Sequence, residues 1–223
     1  MSSSIGKKIV VALTGLVLVG FVFGHMIGHL LMFAGPAAYN EYAHFLHTVG
    51  HGMGIWVARS VVFGSIIVHV LFTIQLTKQN RAARAEPYGY QHTQVASKSS
   101  RVMIISGLTL LSFFIYHILH FTVRVWHGFN QLPLFDLAGE KVFDAYQMMI
   151  KGFSFPLVTG FYILSMVFLC SHLSHGVASI PQTLGLNTEA SGKLFKKLGL
   201  AFAFLILAGF SVVPLAINMG LVK

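Results

Sequence analysis

The sequence predicts an all-α membrane protein, five transmembrane helices gathered into one bundle over residues 1–223. Three observations carry that prediction. Of the 223 residues, 55% are hydrophobic and only 9% are charged, far from the roughly 25% charged share of a soluble domain. Mean hydropathy is +0.74. The apolar residues are also concentrated in five runs, each near the roughly 20 residues that cross a bilayer as a helix.

Ile9–Phe33 is the first run. Lys7 and Lys8 precede it, as in a signal peptide. At about 25 residues it exceeds the 7–15 of a signal core, so it reads as a retained first span. Gly54–Thr77, Val102–Val123, Pro156–Ile180 and Leu198–Met219 follow. Backbone groups in lipid must be satisfied within the segment, which makes each run a helix. Pro156 suits a first turn, and Pro181 and Pro214 fall at or near helix ends. The connection Arg124–Phe155 is expected to hold a short amphipathic helix, because Phe143, Tyr146 and Ile150 recur at helical spacing. No long internal repeat is evident.

The formal charge of +9 does not point to nucleic acid, because the basic residues lie between the apolar runs, where loops face anionic lipid. Lys7, Lys8, Lys78, Arg81, Arg84, Lys98, Arg101, Lys193, Lys196 and Lys197 fall on one side. Arg59, Arg124, Lys141, Lys151 and Lys223 fall on the other. The positive-inside rule therefore places the N-terminus in the cytoplasm and the C-terminus outside. The single Cys170 allows no intrachain disulfide, and the absence of Cys-x-x-Cys-His excludes the usual covalent haem attachment.

Four histidines lie late in four of the runs: His25, His69, His117 and His172. Ionisable side chains at membrane depth are costly and mark function. Counting from each span's middle, His25 and His117 lie roughly 6 Å toward the outside, and His69 and His172 roughly 5 Å toward the cytoplasm. Two pairs follow, His25 with His117 and His69 with His172. Neutral imidazoles on facing helices are natural axial ligands for a porphyrin held in a bundle. Two such pairs would hold two b-type haems, each iron without an open position and so suited to electron transfer. The competing readings are imidazoles that glue helices by hydrogen bonds, and a histidine-based metal or proton transporter. Against transport, all six acidic residues fall outside the runs, whereas transport sites usually pair ionisable groups within the membrane.

Other residues have two readings each. Gly20, Gly24 and Gly28 form a stripe beside His25, and Gly64 and Gly176 flank His69 and His172. They suit either a flat macrocycle or close helix packing. His29, His120 and His175 follow the first histidines by three or four residues on roughly the same face, and suit propionate or quinone hydrogen bonding or replacement ligation. Arg59, Arg124 and Arg101 fit haem propionates or simple snorkelling at span ends. His44, His47 and His51 have metal-like spacing, but only Glu41 accompanies them, and a surface helix is the better reading.

Gly24-His25-Met-Ile-Gly-His-Leu-Leu-Met-Phe, followed by Gly35-Pro-Ala-Ala-Tyr-Asn-Glu-Tyr-Ala-His44-Phe, resembles the opening of the b558-type cytochrome b subunit of succinate dehydrogenase, the dihaem anchor also found in related fumarate reductases. Gly107 to His117 with His120-Phe, and His172-Leu-Ser-His175-Gly-Val-Ala-Ser-Ile-Pro-Gln-Thr-Leu-Gly-Leu-Asn, resemble its third and fourth spans. The resemblance implies two b haems, the outer held by His25 and His117 and the inner by His69 and His172. It implies a bacterial inner-membrane anchor on which flavoprotein and iron–sulfur subunits dock from the cytoplasm, the basic stretch Lys78–Arg101 facing them. Electrons would pass to or from a quinone, usually menaquinone, with His29, His44, His120 and Arg124 as candidate contacts. Succinate chemistry itself would belong to the flavoprotein. A haem-bearing anchor for a different dehydrogenase is the alternative. The family pattern carries Asn where this chain has His29, which leaves the role of His29 open.

Overall fold

The computed structural model describes residues 3–83 and 102–223. Arg84, Glu86, Lys98 and Arg101 lie outside the described residues. Among the described residues, five helices are long and apolar enough to cross a membrane. They are α1 (Ser4–Leu30, closing in a 3-10 turn Leu31–Ala34), α3 (Met53–Ala82), α4 (Met103–His117), α6 (Pro156–Thr183) and α7 (Glu189–Asn218). All five expected runs are helical, and most helices outrun their apolar stretch until a cap stops them. Thr188 and Ser191 form a capping box that starts α7 well before Leu198. Pro156 occupies the first turn of α6, where its missing N–H costs no bond.

The end of α4 departs from a plain helix. Ile118–Val123 is a π-helix, and Arg124 with φ +62° terminates it. Such widened turns, bonded i to i+5, are rare and concentrate at functional sites.

A cap covers one end of the bundle. It contains α2 (Pro36–Thr48), the antiparallel hairpin β1 (Leu134–Leu137) and β2 (Glu140–Phe143), and α5 (Ala145–Phe153). The expected amphipathic helix is α5, but Phe143 is not on it. Phe143 ends β2, paired with Leu134. The hairpin turn is Ala138–Gly139, with φ of 52° and 90°, the left-handed pair that a tight two-residue turn needs. Asp136 steadies it, accepting from the Gly139 N–H and from Lys141 Nζ, each at 2.8 Å. Asp144 caps α5 by accepting from the Gln147 N–H at 2.9 Å. Fully buried Asn40 ties α2 to α5: its Nδ2 donates to Asp144 Oδ1 and its Oδ1 accepts from the Tyr146 N–H, both at 3.0 Å.

Packing arranges α1, α3, α4 and α6 as a ring. α1 packs on α3 and α6, and α4 packs on α6. Phe63 and Phe114 close the α3–α4 side, ring centroids 5.3 Å apart. α7 lies outside the ring against α6 and α1. Within the most apolar window, 33% of residues are buried in α6 and α7 but only 11% in α1, α3 and α4. The densely packed seam is therefore α1–α6–α7, built on Met26, Cys170, Leu173, Ala203 and Ile206. A second core joins the cap to the helix ends beneath it, through Met32, Phe121, Phe129, Met149, Phe153 and Tyr162.

Candidate functional site: histidine pairs on the ring diagonals

The helices across each diagonal, α1 with α4 and α3 with α6, do not pack closely on one another. Histidines occupy those gaps. Near the capped end, His25 of α1 faces His117 of α4, ring centroids 5.9 Å apart and planes at 83°. Phe21 stacks on His25 at 5.1 Å, and Phe113 and Phe121 flank His117, each at 5.9 Å. One turn beyond His25, His29 brings its Nε2 within 3.2 Å of His25 Nε2, while its Nδ1 meets Tyr39 Oη at 2.8 Å. Burial raises the Tyr39 phenol above its ordinary range, so it remains a neutral hydroxyl. The π turn lets two histidines of α4 share one partner. Tyr162 Oη lies 3.3 Å from His117 Nδ1 and 2.9 Å from His120 Nδ1. His120 is fully buried, and its Nε2 has no hydrogen-bond partner among the described residues.

Toward the far end are His69 of α3 and His172 of α6, with His175 three residues beyond His172 on the same helix. His69 Nδ1 is 3.2 Å from Thr14 Oγ1 on α1. His172 Nδ1 is 3.2 Å from Ser106 Oγ on α4. Thr14 and His25 are eleven residues apart on α1, and Ser106 and His117 are eleven apart on α4. Two helices thus give the same separation between the levels, about 16 Å at 1.5 Å per residue.

The remaining expected residues sit apart from these groups. Arg59 lies over the Trp56 ring at 5.1 Å, the posture of a snorkelling side chain. Arg124 lies over Phe143 at 3.6 Å, its Nε buried without a partner among the described residues. Arg101 is outside the described residues. His44 and His47 are on α2, His44 3.6 Å from Glu140 and His47 bonded to the Ala43 carbonyl at 2.9 Å, while His51 is in the following turn with φ 54°. The glycine stripe divides. A Cβ on Gly28 would stand 2.8 Å from Tyr42 Cζ, so that position serves packing, whereas Gly20, Gly24, Gly64 and Gly176 face open space.

Sequence reasoning misses Thr14, Ser106, Tyr39, Tyr162 and His127. His127 sits 5.1 Å from His120 and stacks on Phe155 at 4.4 Å. One signal was available for two of them, the hydroxyl at the same spacing before His25 and before His117.

Chemically, the site offers two sets of imidazole nitrogens, enclosed by aromatic rings at the capped level and met by hydroxyls at both. No family model matches the chain, and no solved structure matches it. The chain is similar to the succinate dehydrogenase cytochrome b558 subunit of Bacillus subtilis (strain 168), 24% identical over 179 residues that cover 79% of this chain and 78% of that relative.

Proposed function

We propose that this chain is a cytochrome b membrane anchor of a succinate:quinone oxidoreductase, holding two b haems and carrying electrons between an iron–sulfur subunit and a membrane quinone, menaquinone by resemblance. The observation that carries the reading is the occupation of both ring diagonals by histidine pairs at two levels. The name of the Bacillus relative points the same way.

The residues fit haem. Facing neutral imidazoles on two helices are the donor set that would hold a haem iron. His25 and His117 stand 5.9 Å apart across their diagonal. His69 and His172 form the corresponding far-level pair. His25 would hold the haem through the Nε2 that meets His29 here, which makes His29 the competing ligand at that level. When bound, a bis-imidazole haem supplies one-electron transfer without an open coordination position.

Around it, this chain's side chains hold and shield. Phe21, Phe113 and Phe121 keep water from the capped-level pair. Lys78, Arg81, Lys193, Lys196 and Lys197, at the far ends of α3 and α7, give that end the positive charge of a cytoplasmic face. The iron–sulfur and flavoprotein subunits would dock there. His175 near the far level, and Arg59 and Arg124 toward the cap, are the propionate candidates. His29, His44, His120 and Arg124 are the quinone candidates, and the buried partnerless atoms of His120 and Arg124 suit a missing hydrogen-bonding group.

The test is spectroscopic. Purified chain should show reduced-minus-oxidised b-type absorbance and about two haems per polypeptide. His69→Ala and His172→Ala should each abolish the same haem, and His25→Ala and His117→Ala the other. A colourless protein, or His69→Ala with both haems intact, would overturn the reading.

A further inference from the structure

Two stretches of the chain, far apart in sequence, build the same local device. Thr14-Gly15 precedes His25 on α1, and Ser106-Gly107 precedes His117 on α4 at identical spacing. Each pair closes on a histidine of the next spanning helix. The same ring nitrogen, Nδ1, is met at the same 3.2 Å. The same ring carbon, Cε1, lies 3.5 Å from where a glycine Cβ would stand, so the bare glycine lets the imidazole come up against the helix.

Counting protons suggests a direction for both bonds. A hydroxyl has a single proton. Thr14 Oγ1 lies 2.8 Å from the Val10 carbonyl and 3.1 Å from that of Val11, and Ser106 Oγ lies 3.1 Å from that of Met103. Carbonyls only accept, so a hydroxyl that gives its proton to its own helix meets the imidazole as an acceptor, and Nδ1 then carries the hydrogen. In a neutral imidazole protonated on Nδ1, the lone pair is on Nε2. Hydroxyls in membrane helices commonly bond back to their own backbone and need nothing else. That both of these also meet the same atom of a paired histidine is what marks them.

We propose that Thr14 and Ser106 are positioning residues for the far-level haem: each accepts the Nδ1–H of His69 or His172, holding the ring in the tautomer and orientation that present Nε2 to iron. This rests on the haem reading above. An acceptor on Nδ1–H makes the imidazole a stronger donor and favours the ferric state, so its removal raises that haem's midpoint potential.

The experiment uses the intact complex in membranes, with Thr14→Val and Ser106→Ala removing the oxygen and Thr14→Ser and Ser106→Thr keeping it. Optical redox titration and low-temperature EPR of the ferric low-spin signals are the readouts. In the oxygen-free variants, the haem that His69→Ala abolishes should move by a roughly three- to tenfold change in its ferric–ferrous equilibrium, about 30 to 60 mV upward. Its g values should shift, and the other haem should keep its wild-type potential and signal. The oxygen-keeping variants should match wild type. Selective loss of that haem in the oxygen-free variants alone would also support the proposal. Wild-type potentials and g values in both Thr14→Val and Ser106→Ala would overturn it, as would equal damage in Thr14→Ser and Ser106→Thr. Those failures leave the wild-type haem spectrum standing, whereas a haem-free wild type removes the haem reading and this inference together.

Discussion

Asn40 illustrates how much one buried amide organises. It is fully buried and satisfies a carboxylate oxygen of Asp144 and the Tyr146 N–H at once. Asn40→Ala strands the Tyr146 N–H, at a cost of about 1–3 kcal/mol, and leaves Asp144 Oδ1 with the Gln147 N–H alone. The expected outcome is a lowered thermal midpoint and faster proteolysis within the cap. His127 makes a prediction about pH. Burial, and then the nearby Lys151 charge, hold its pKa below the ordinary 6.5. The unfolded chain then takes up a proton at higher pH than the folded one, so the contribution is complete above pH 6.5 and declines as pH falls below it. Thermal midpoints should fall over that interval in the wild type, and less in His127→Phe, which keeps the stack on Phe155. At this scale the sequence was informative about the paired histidines, because an imidazole in an apolar run has few ordinary explanations. It was silent about their partners. Thr14 and Ser106 look like any hydroxyl that bonds its own backbone, and Tyr162 looks like one more lipid-facing aromatic.

Between elements, glycine positions separate close packing from open space. In Gly28→Ala, the new methyl presses on Tyr42 of α2, 2.8 Å from its Cζ. Overpacking of that kind costs about 1–3 kcal/mol and should loosen α2 from α1, read as a lower denaturation midpoint in detergent. Gly24→Ala meets nothing within 4 Å and should leave that midpoint unchanged or slightly raised, as helix propensity favours alanine by up to about 1 kcal/mol. The five spanning helices were legible because lipid admits no other backbone solution for such runs. The cap was only half legible. Its α5 showed helical spacing, but Phe143 shared that spacing while belonging to β2, and two four-residue strands are too short for alternation to stand out. The π turn at Ile118–Val123 has no composition of its own, since it exists only through which carbonyl each N–H selects.

Over the whole molecule, five helices long enough to cross a membrane predict termini on opposite sides, and the distribution of lysine and arginine predicts which one is inside. A cysteine at Ala138, in the hairpin turn of the cap, should react with an impermeant thiol reagent added to intact cells. A cysteine at Lys196, near the start of α7, should react only after the membrane is opened. Native Cys170 is buried and supplies the unlabelled background. The reverse pattern would invert the orientation inferred from the basic residues.

The eleven-residue interval repeated on α1 and α4 also has an electrical meaning. A displacement of about 16 Å along the bundle is about half of a 30 Å hydrocarbon layer. Any charge shuttling between the two levels therefore works with or against about half the transmembrane voltage, roughly 1 kcal/mol per elementary charge for each 100 mV. An energised membrane would bias which of the two imidazole pairs the charge prefers, with no atom of the protein having moved.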